Sequence, residues 1–267
     1  MSALSLRHPF GWVLAVVTAL GFVYLLGPLV VITIASFGDT GYLVFPPRGF
    51  SLRWYEAALG NARYLQGFLT SVKIAGIVTL LSTIIGTMAA HALVRHEFRG
   101  RAFLESLFLS PLILPGLVLA VALTIFFSRV PLVVGTDRLL LSHLVLCVPI
   151  VVRVMIPVFQ RFDIGLEEAA RNLGASPIVA FLLVTLPALR PGFFAAAAMA
   201  FILSFDEVEM AVFLASPREP PLTVVLYGQA QLAFDPSLAA VSALLVLVVL
   251  VAMLAYEALR SSSKFRS

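Results

Sequence analysis

Charge and sulfur are what this sequence has least of. Only 12% of its 267 residues are Asp, Glu, Lys or Arg, about half the share usual in a soluble domain. With the single cysteine Cys147 no intrachain disulfide can form, and neither a Cys-x-x-Cys pair nor a histidine cluster supports a metal site. No Gly-x-x-x-x-Gly-Lys-Ser/Thr loop occurs, and neither Lys73 nor Lys264 follows a glycine, so the chain carries no nucleotide site of that kind. His8, His91, His96 and His143 form no recognisable catalytic spacing, and His96-Glu97 lacks the second histidine of a His-Glu-x-x-His zinc motif. An enzyme is therefore the weakest reading.

Apolar residues are abundant, at 61% with a mean hydropathy of +1.04. Runs of roughly 20 apolar residues span a bilayer, and they must be helices because lipid cannot satisfy open backbone groups. Six such spans are expected, at about 10–37, 64–94, 104–128, 138–160, 188–215 and 237–259. The second, fourth and fifth carry charges: Lys73, Arg153, and the trio Asp206, Glu207 and Glu209. The first run is far longer than the 7–15-residue core of a secretory signal, so it is expected to be a retained anchor.

Basic residues flanking the spans set the orientation. Arg7, Arg95, Arg99, Arg101, Arg161, Arg171, Arg190, Arg260, Lys264 and Arg266 fall on the side of both termini. Only Arg48, Arg53, Arg63, Arg129, Arg138 and Arg218 fall on the other. The bias puts both termini in the cytoplasm. These flanking residues also account for the net charge of +4, and no nucleic-acid partner is called for.

Three features between or within spans carry specific expectations. In the outward loop 39–63, Ser51 suits an N-cap before a short helix that carries Trp54 and Tyr55. That helix reads either as a membrane-surface anchor or as a docking surface. Pro111 and Pro115 remove backbone donors in the third span, giving a structural kink or a hinge lining a pathway. In the fourth span Arg153 lies between Pro149 and Pro157, and pairing with an acid of a neighbouring span would offset its cost.

Between the fourth and fifth spans, at about 163–187, the lipid pattern gives way to Asp163-Ile164-Gly165-Leu166-Glu167-Glu168-Ala169-Ala170-Arg171-Asn172-Leu173-Gly174. Glu and Ala favour helix, the acids lie in its first turns, and Gly174 suits a left-handed end. Ser176-Pro177 then reads as the start of a second helix running to about Leu186. Such a helix-turn-helix suits a rigid knob. Ala169 and Ala170 permit close approach, Glu167 or Glu168 can meet a partner arginine, and Gly174 permits the turn.

Glu168-Ala169-Ala170, then Gly174, then Val184-Thr185-Leu186-Pro187, resembles the EAA loop of ABC-importer permeases. The likeness extends over most of the chain to the spermidine/putrescine type: Ser51–Trp54-Tyr55, Leu166–Ser176, Leu203-Ser204-Phe205-Asp206-Glu207, Phe234-Asp235-Pro236 and Ala239–Ser242. Two departures stand out, Val184 for the commoner isoleucine and Glu209 where that subgroup usually has an apolar residue. The resemblance implies an all-α polytopic membrane protein of the bacterial inner membrane, a single permease domain of six helices with a type I importer fold. It implies that Glu167, Glu168, Ala169, Ala170 and Gly174 dock on one of two ATP-binding cassette subunits. ATP and magnesium would bind there, leaving this chain without a cofactor. It also implies a second permease and an extracytoplasmic solute-binding protein.

Asp206, Glu207 and Glu209 are costly within lipid and should face protein or water. Asp206 and Glu209, at i and i+3, are expected to share a helix face, with Glu207 turned about 100° away. Together with Phe205 they suit a pathway for an alkylammonium cation such as a polyamine. A structural alternative pairs one acid with Arg153 or Lys73. A proton-coupled secondary transporter using Asp206 or Glu207 is the alternative function.

Overall fold

A computed structural model describes residues 9–130, 133–232 and 235–264; Arg7, His8, Phe234 and Arg266, used above, lie outside them. The described residues are helical apart from turns and loops. They divide into two compact units, Met1–Tyr64 with Gly228–Ser267, and Leu65–Tyr227.

In the first unit α1 (Pro9–Ala35) is apolar throughout and continues unbroken past Pro28. After it the chain turns back on itself before α2 (Arg53–Gly60). Ser36 Oγ and the Tyr55 hydroxyl share a 2.6 Å hydrogen bond, Trp54 Nε1 donates to the Gly38 carbonyl at 3.1 Å, and Phe37 stacks on Phe50. Arg53 pairs with Asp39 at 3.4 Å. The polar tips of Trp54 and Tyr55 thus clasp the preceding loop. The N-cap of α2 is Leu52 rather than the expected Ser51. The Ser51 hydroxyl instead accepts from Arg53 N at 3.2 Å, a local turn that competes with capping. The last helix, α13 (Pro236–Lys264), packs against α1 and α2, and the Tyr64 hydroxyl meets Ser237 Oγ at 3.1 Å.

The second unit is organised around α6 (Thr136–Arg161). Cys147, Val151, Met155 and Phe159, four residues apart, are all fully buried, forming one ridge of the helix. Facing it is α10 (Arg190–Asp206), whose own four-residue ridge is small: Gly192, Ala196, Ala200 and Ser204. A Cβ at Gly192 would come within 2.6 Å of Val158, Cys147 Sγ lies 3.6 Å from the Ala200 carbonyl, and His143 Nδ1 lies 2.8 Å from Ser204 Oγ. The pairing runs antiparallel. Small residues let the two backbones approach, which is how helices associate where lipid removes the hydrophobic drive. From the other side α3 (Ala62–Arg95) brings Gly86 onto Val151.

Three helices among the described residues are long and apolar enough to cross a membrane unbroken: α1 from Trp12, α3 and α6. Two further helix pairs meet the same test together but are bent at a break, which allows up to five spans among the described residues. The third expected span is a pair, α4 (Arg101–Leu109) and α5 (Gly116–Arg129), bent by 102°. Pro111 sits in a tight turn, Ser110–Leu112, and Pro115 is extended at φ −58°, ψ 132°, as the ring constraints dictate. The fifth begins with a 72° bend near Leu189, between helical segments Pro177–Ala188 and Arg190–Asp206. It breaks again before α11 (Glu209–Leu214). The short α12 (Leu222–Leu232) follows, and in α13 the described apolar stretch is Pro236–Val251. Pro149 and Pro157, by contrast, leave α6 continuous.

A Cβ at Gly86 would fall 2.6 Å from Val151 and 3.1 Å from the Val148 carbonyl, whereas Gly76 has open space around it. Gly86→Ala is expected to lower stability by about 1–3 kcal/mol through overpacking, and Gly76→Ala to leave it unchanged or raised. Thermal unfolding in detergent, with both variants side by side, checks this.

Candidate functional site

The polar loop between α6 and α10 is built by local rules. Asp163 Oδ1 accepts from Gly165 N at 2.9 Å, starting α7 (Gly165–Asn172). Glu167 and Glu168 lie in its first turn, where the helix dipole favours negative charge. At its end Gly174 takes φ +96°. Ala175 N donates to the Ala170 carbonyl at 3.1 Å and Gly174 N to Arg171 at 3.0 Å, the paired bonds of a Schellman turn. Ser176 Oγ then accepts from Val179 N at 3.4 Å, opening α8 (Pro177–Ala180) with proline in its first turn.

The second helix departs from expectation. It widens to a π-turn at Phe181–Thr185 before α9 (Leu186–Ala188), instead of running evenly to Leu186. Thr185 is fully buried, and its hydroxyl donates to Glu167 Oε2 at 2.8 Å. The two acids of the motif are thereby separated. Glu167 is half-buried and bound to its own chain, while Glu168 and Ala169 are exposed and Ala170 is half-buried. Beside them Leu173 is 90% exposed and Ile178 71%. The loop therefore presents apolar tips and, in Glu168, a carboxylate without a partner among the described residues.

Residues of α3 brace its root, and sequence reasoning did not find them. The His91 ring packs edge-on against Phe159 at 5.4 Å and Phe181 at 5.3 Å. The Arg95 guanidinium lies 5.3 Å from the ring of Phe162, where α6 gives way to the loop. Their four-residue spacing on one helix was the available signal. Thr185→Val, which keeps the shape and removes the donor, is expected to lower stability by about 1–3 kcal/mol. Thr185→Ser should retain most of it; thermal unfolding of both variants tests this.

At the other end of α10 the three acids do not share a helix. After Asp206 the chain turns extended at Glu207 (ψ 109°), so the expected common face of Asp206 and Glu209 is absent. Glu207 Oε1 accepts from Met210 N at 3.1 Å, capping α11, and its carbonyl accepts from Thr223 Oγ1 at 3.4 Å. The break is therefore held by the acid's own side chain and not by a proline. Glu209 is directed elsewhere, with its carboxylate against Gly116 at the start of α5. Asp206 is exposed at the C-terminal end of α10, where the helix dipole opposes its charge.

Asp206 and Glu207 border a cleft of about 370 Å³ whose other walls are Ile150, Met199, Ile202 and Leu203. Phe205 is half-buried, stacked on Phe201 at 5.9 Å and edge-on to Phe68 at 6.0 Å. The expected pairing of Arg153 or Lys73 with one of these acids does not occur: among the described residues the ion pair found is Arg53–Asp39. Arg153 is exposed, because it projects from α6 about 200° away from the buried ridge through Val151.

Known proteins place this arrangement. Spermidine/putrescine transport system permease protein PotC of Escherichia coli K12 is 28% identical over 236 residues, covering 88% of this chain and 89% of that protein. Putrescine transport system permease protein PotI of the same strain is 30% identical over 237 residues, covering 86% and 84%. In fold, the chain superposes on a subunit of a bacterial ABC transporter involved in the import of the acidic polysaccharide alginate. That match has a TM-score of 0.73 at 18% identity and covers 98% of both chains. Residues 82–263 match the family of binding-protein-dependent transport system inner membrane components, and the chain belongs to that family of ABC-importer permeases.

Proposed function

We propose that this chain forms half of the translocation pathway of an ATP-driven importer for a small organic cation of the polyamine class. Asp206 carries the choice of cation. It stands exposed at the unfavourable end of α10, beside an apolar-walled cleft that Glu207 also borders. Carboxylate and methylene-lined wall together suit an alkylammonium chain, whose charged ends and apolar spacer need both. The polyamine permeases among its relatives support the same class. The fold alone does not choose a solute, since the neighbour of similar fold takes part in importing an acidic polysaccharide.

The loop at 163–187 docks on a separate ATPase subunit. Glu168 faces a basic group of that partner, Leu173 and Ile178 fill an apolar depression in it, and Ala169 lets the surfaces close. Glu167 and Gly174 keep the knob rigid from within. Closure of two such ATPases on nucleotide drives the loops and opens the pathway outward to an extracytoplasmic binding protein. A second permease completes the path, and both termini lie in the cytoplasm, the side with more flanking arginine.

The complete complex, tagged on this chain and extracted mildly, is expected to contain an ATP-binding cassette protein and a second permease. Glu168→Arg should lose the ATPase while leaving this chain folded. Retention of ATPase and uptake by that variant would refute the docking assignment. Asp206→Asn is expected to reduce kcat/KM for labelled putrescine by about ten- to a hundredfold, the worth of a charge-assisted contact. Unchanged putrescine uptake would remove Asp206 from the pathway.

A further inference from the structure

Helix α5 begins without any cap of its own. Its N-cap position is Pro115, which has no side-chain oxygen, and no acid lies in its first turn. Its first internal bond runs from Leu119 N to the Pro115 carbonyl at 3.1 Å, so the amides of Gly116, Leu117 and Val118 have no partner within the helix. Fourteen aligned peptides begin at this point, within the third expected span, where unsatisfied donors are costly.

The carboxylate of Glu209 lies against this end. A Cβ added at Gly116 would fall on Glu209 Oε2, so glycine is what admits the acid. The position of Glu209 is itself fixed: Glu207 caps the helix that Glu209 begins, and Met210, Ala211 and Leu214 anchor it in the core that also holds Leu119 and Ala120. Without such a counterpart the Glu209 carboxylate would be a further uncompensated charge in the span.

We propose that Glu209 is a positioning residue: its carboxylate serves as the anion for the N-terminus of α5 and ties the α4–α5 elbow to the break in the fifth span. Asp206 and Glu207 stand beside that break. Movement of the elbow and rearrangement of the cleft then become one event, and Glu209 tunes transport without touching solute. The transport consequence rests on the importer reading; the contact itself does not.

A double-mutant cycle on the complete importer tests it, with Gly116→Ala, Glu209→Ala and both together. Thermal unfolding of the purified complex requires no solute and is read first. Gly116→Ala is expected to lower the midpoint clearly in the native background and far less when Glu209 is already alanine. An equal drop in both backgrounds overturns the contact, whatever the complex transports. Glu209→Gln keeps the shape and should fold. It is expected to reduce solute moved per ATP hydrolysed by about tenfold while KM for putrescine stays within about twofold. A raised KM with an unchanged ratio would instead make Glu209 a solute ligand. A changed midpoint with neither kinetic effect would make it purely structural. Either result refutes the positioning role.

Discussion

The antiparallel seam between α6 and α10 sets the positions on which both functional regions depend. Its physics is close backbone approach: Gly192, Ala196, Ala200 and Ser204 lay a small ridge along the buried face of α6, down to the His143–Ser204 contact. In lipid an apolar side chain gains little by leaving hydrocarbon for protein, so tight packing must do what burial does in water. One end of this seam delivers the chain into the loop at 163–187. The other brings Asp206 and Glu207 to the cleft bordered by Ile150 of α6.

Breaks in helices occur where a replacement partner exists. Backbone groups freed within an apolar layer need protein, water or each other. At Pro111–Pro115 two prolines remove donors, and the carboxylate of Glu209 faces the helix start that follows. At Glu207 no proline is present, and the acid caps the next helix itself. Of the charges that make the fifth span look improbable as a membrane segment, Glu207 thus serves the helix that follows it and Glu209 faces the start of α5. Asp206 is the acid for which no such internal service is evident among the described residues.

Much of this was legible in the residues. The apolar runs predicted helices close to α1, α3, α6 and α13, and the Glu-Ala-Ala, glycine and Leu-Pro spacing marked the polar loop. Less legible was continuity. Pro149 and Pro157 are spaced no more innocently than Pro111 and Pro115, yet α6 stays whole while the other pair turns by 102°. Hydropathy counts residues along the chain and is blind to where an axis turns. The bracing of the loop by His91, Arg95 and Thr185 was likewise hidden, since it joins α3 and the π-turn across long separations in sequence.

Composition by itself determined that the chain is helical and lives in a membrane, because a bilayer leaves a backbone so apolar few other ways to bond itself. Local spacing determined the glycine turn of the loop, because a left-handed residue followed by a serine-proline start is a matter of neighbouring dihedrals. Only the tertiary structure decided which acid does what. Glu167, Glu168, Asp206, Glu207 and Glu209 are chemically near-equivalent on the page. A carboxylate's role depends on whether it meets a hydroxyl, a helix start, a helix end or open space, and those neighbours come from distant parts of the chain.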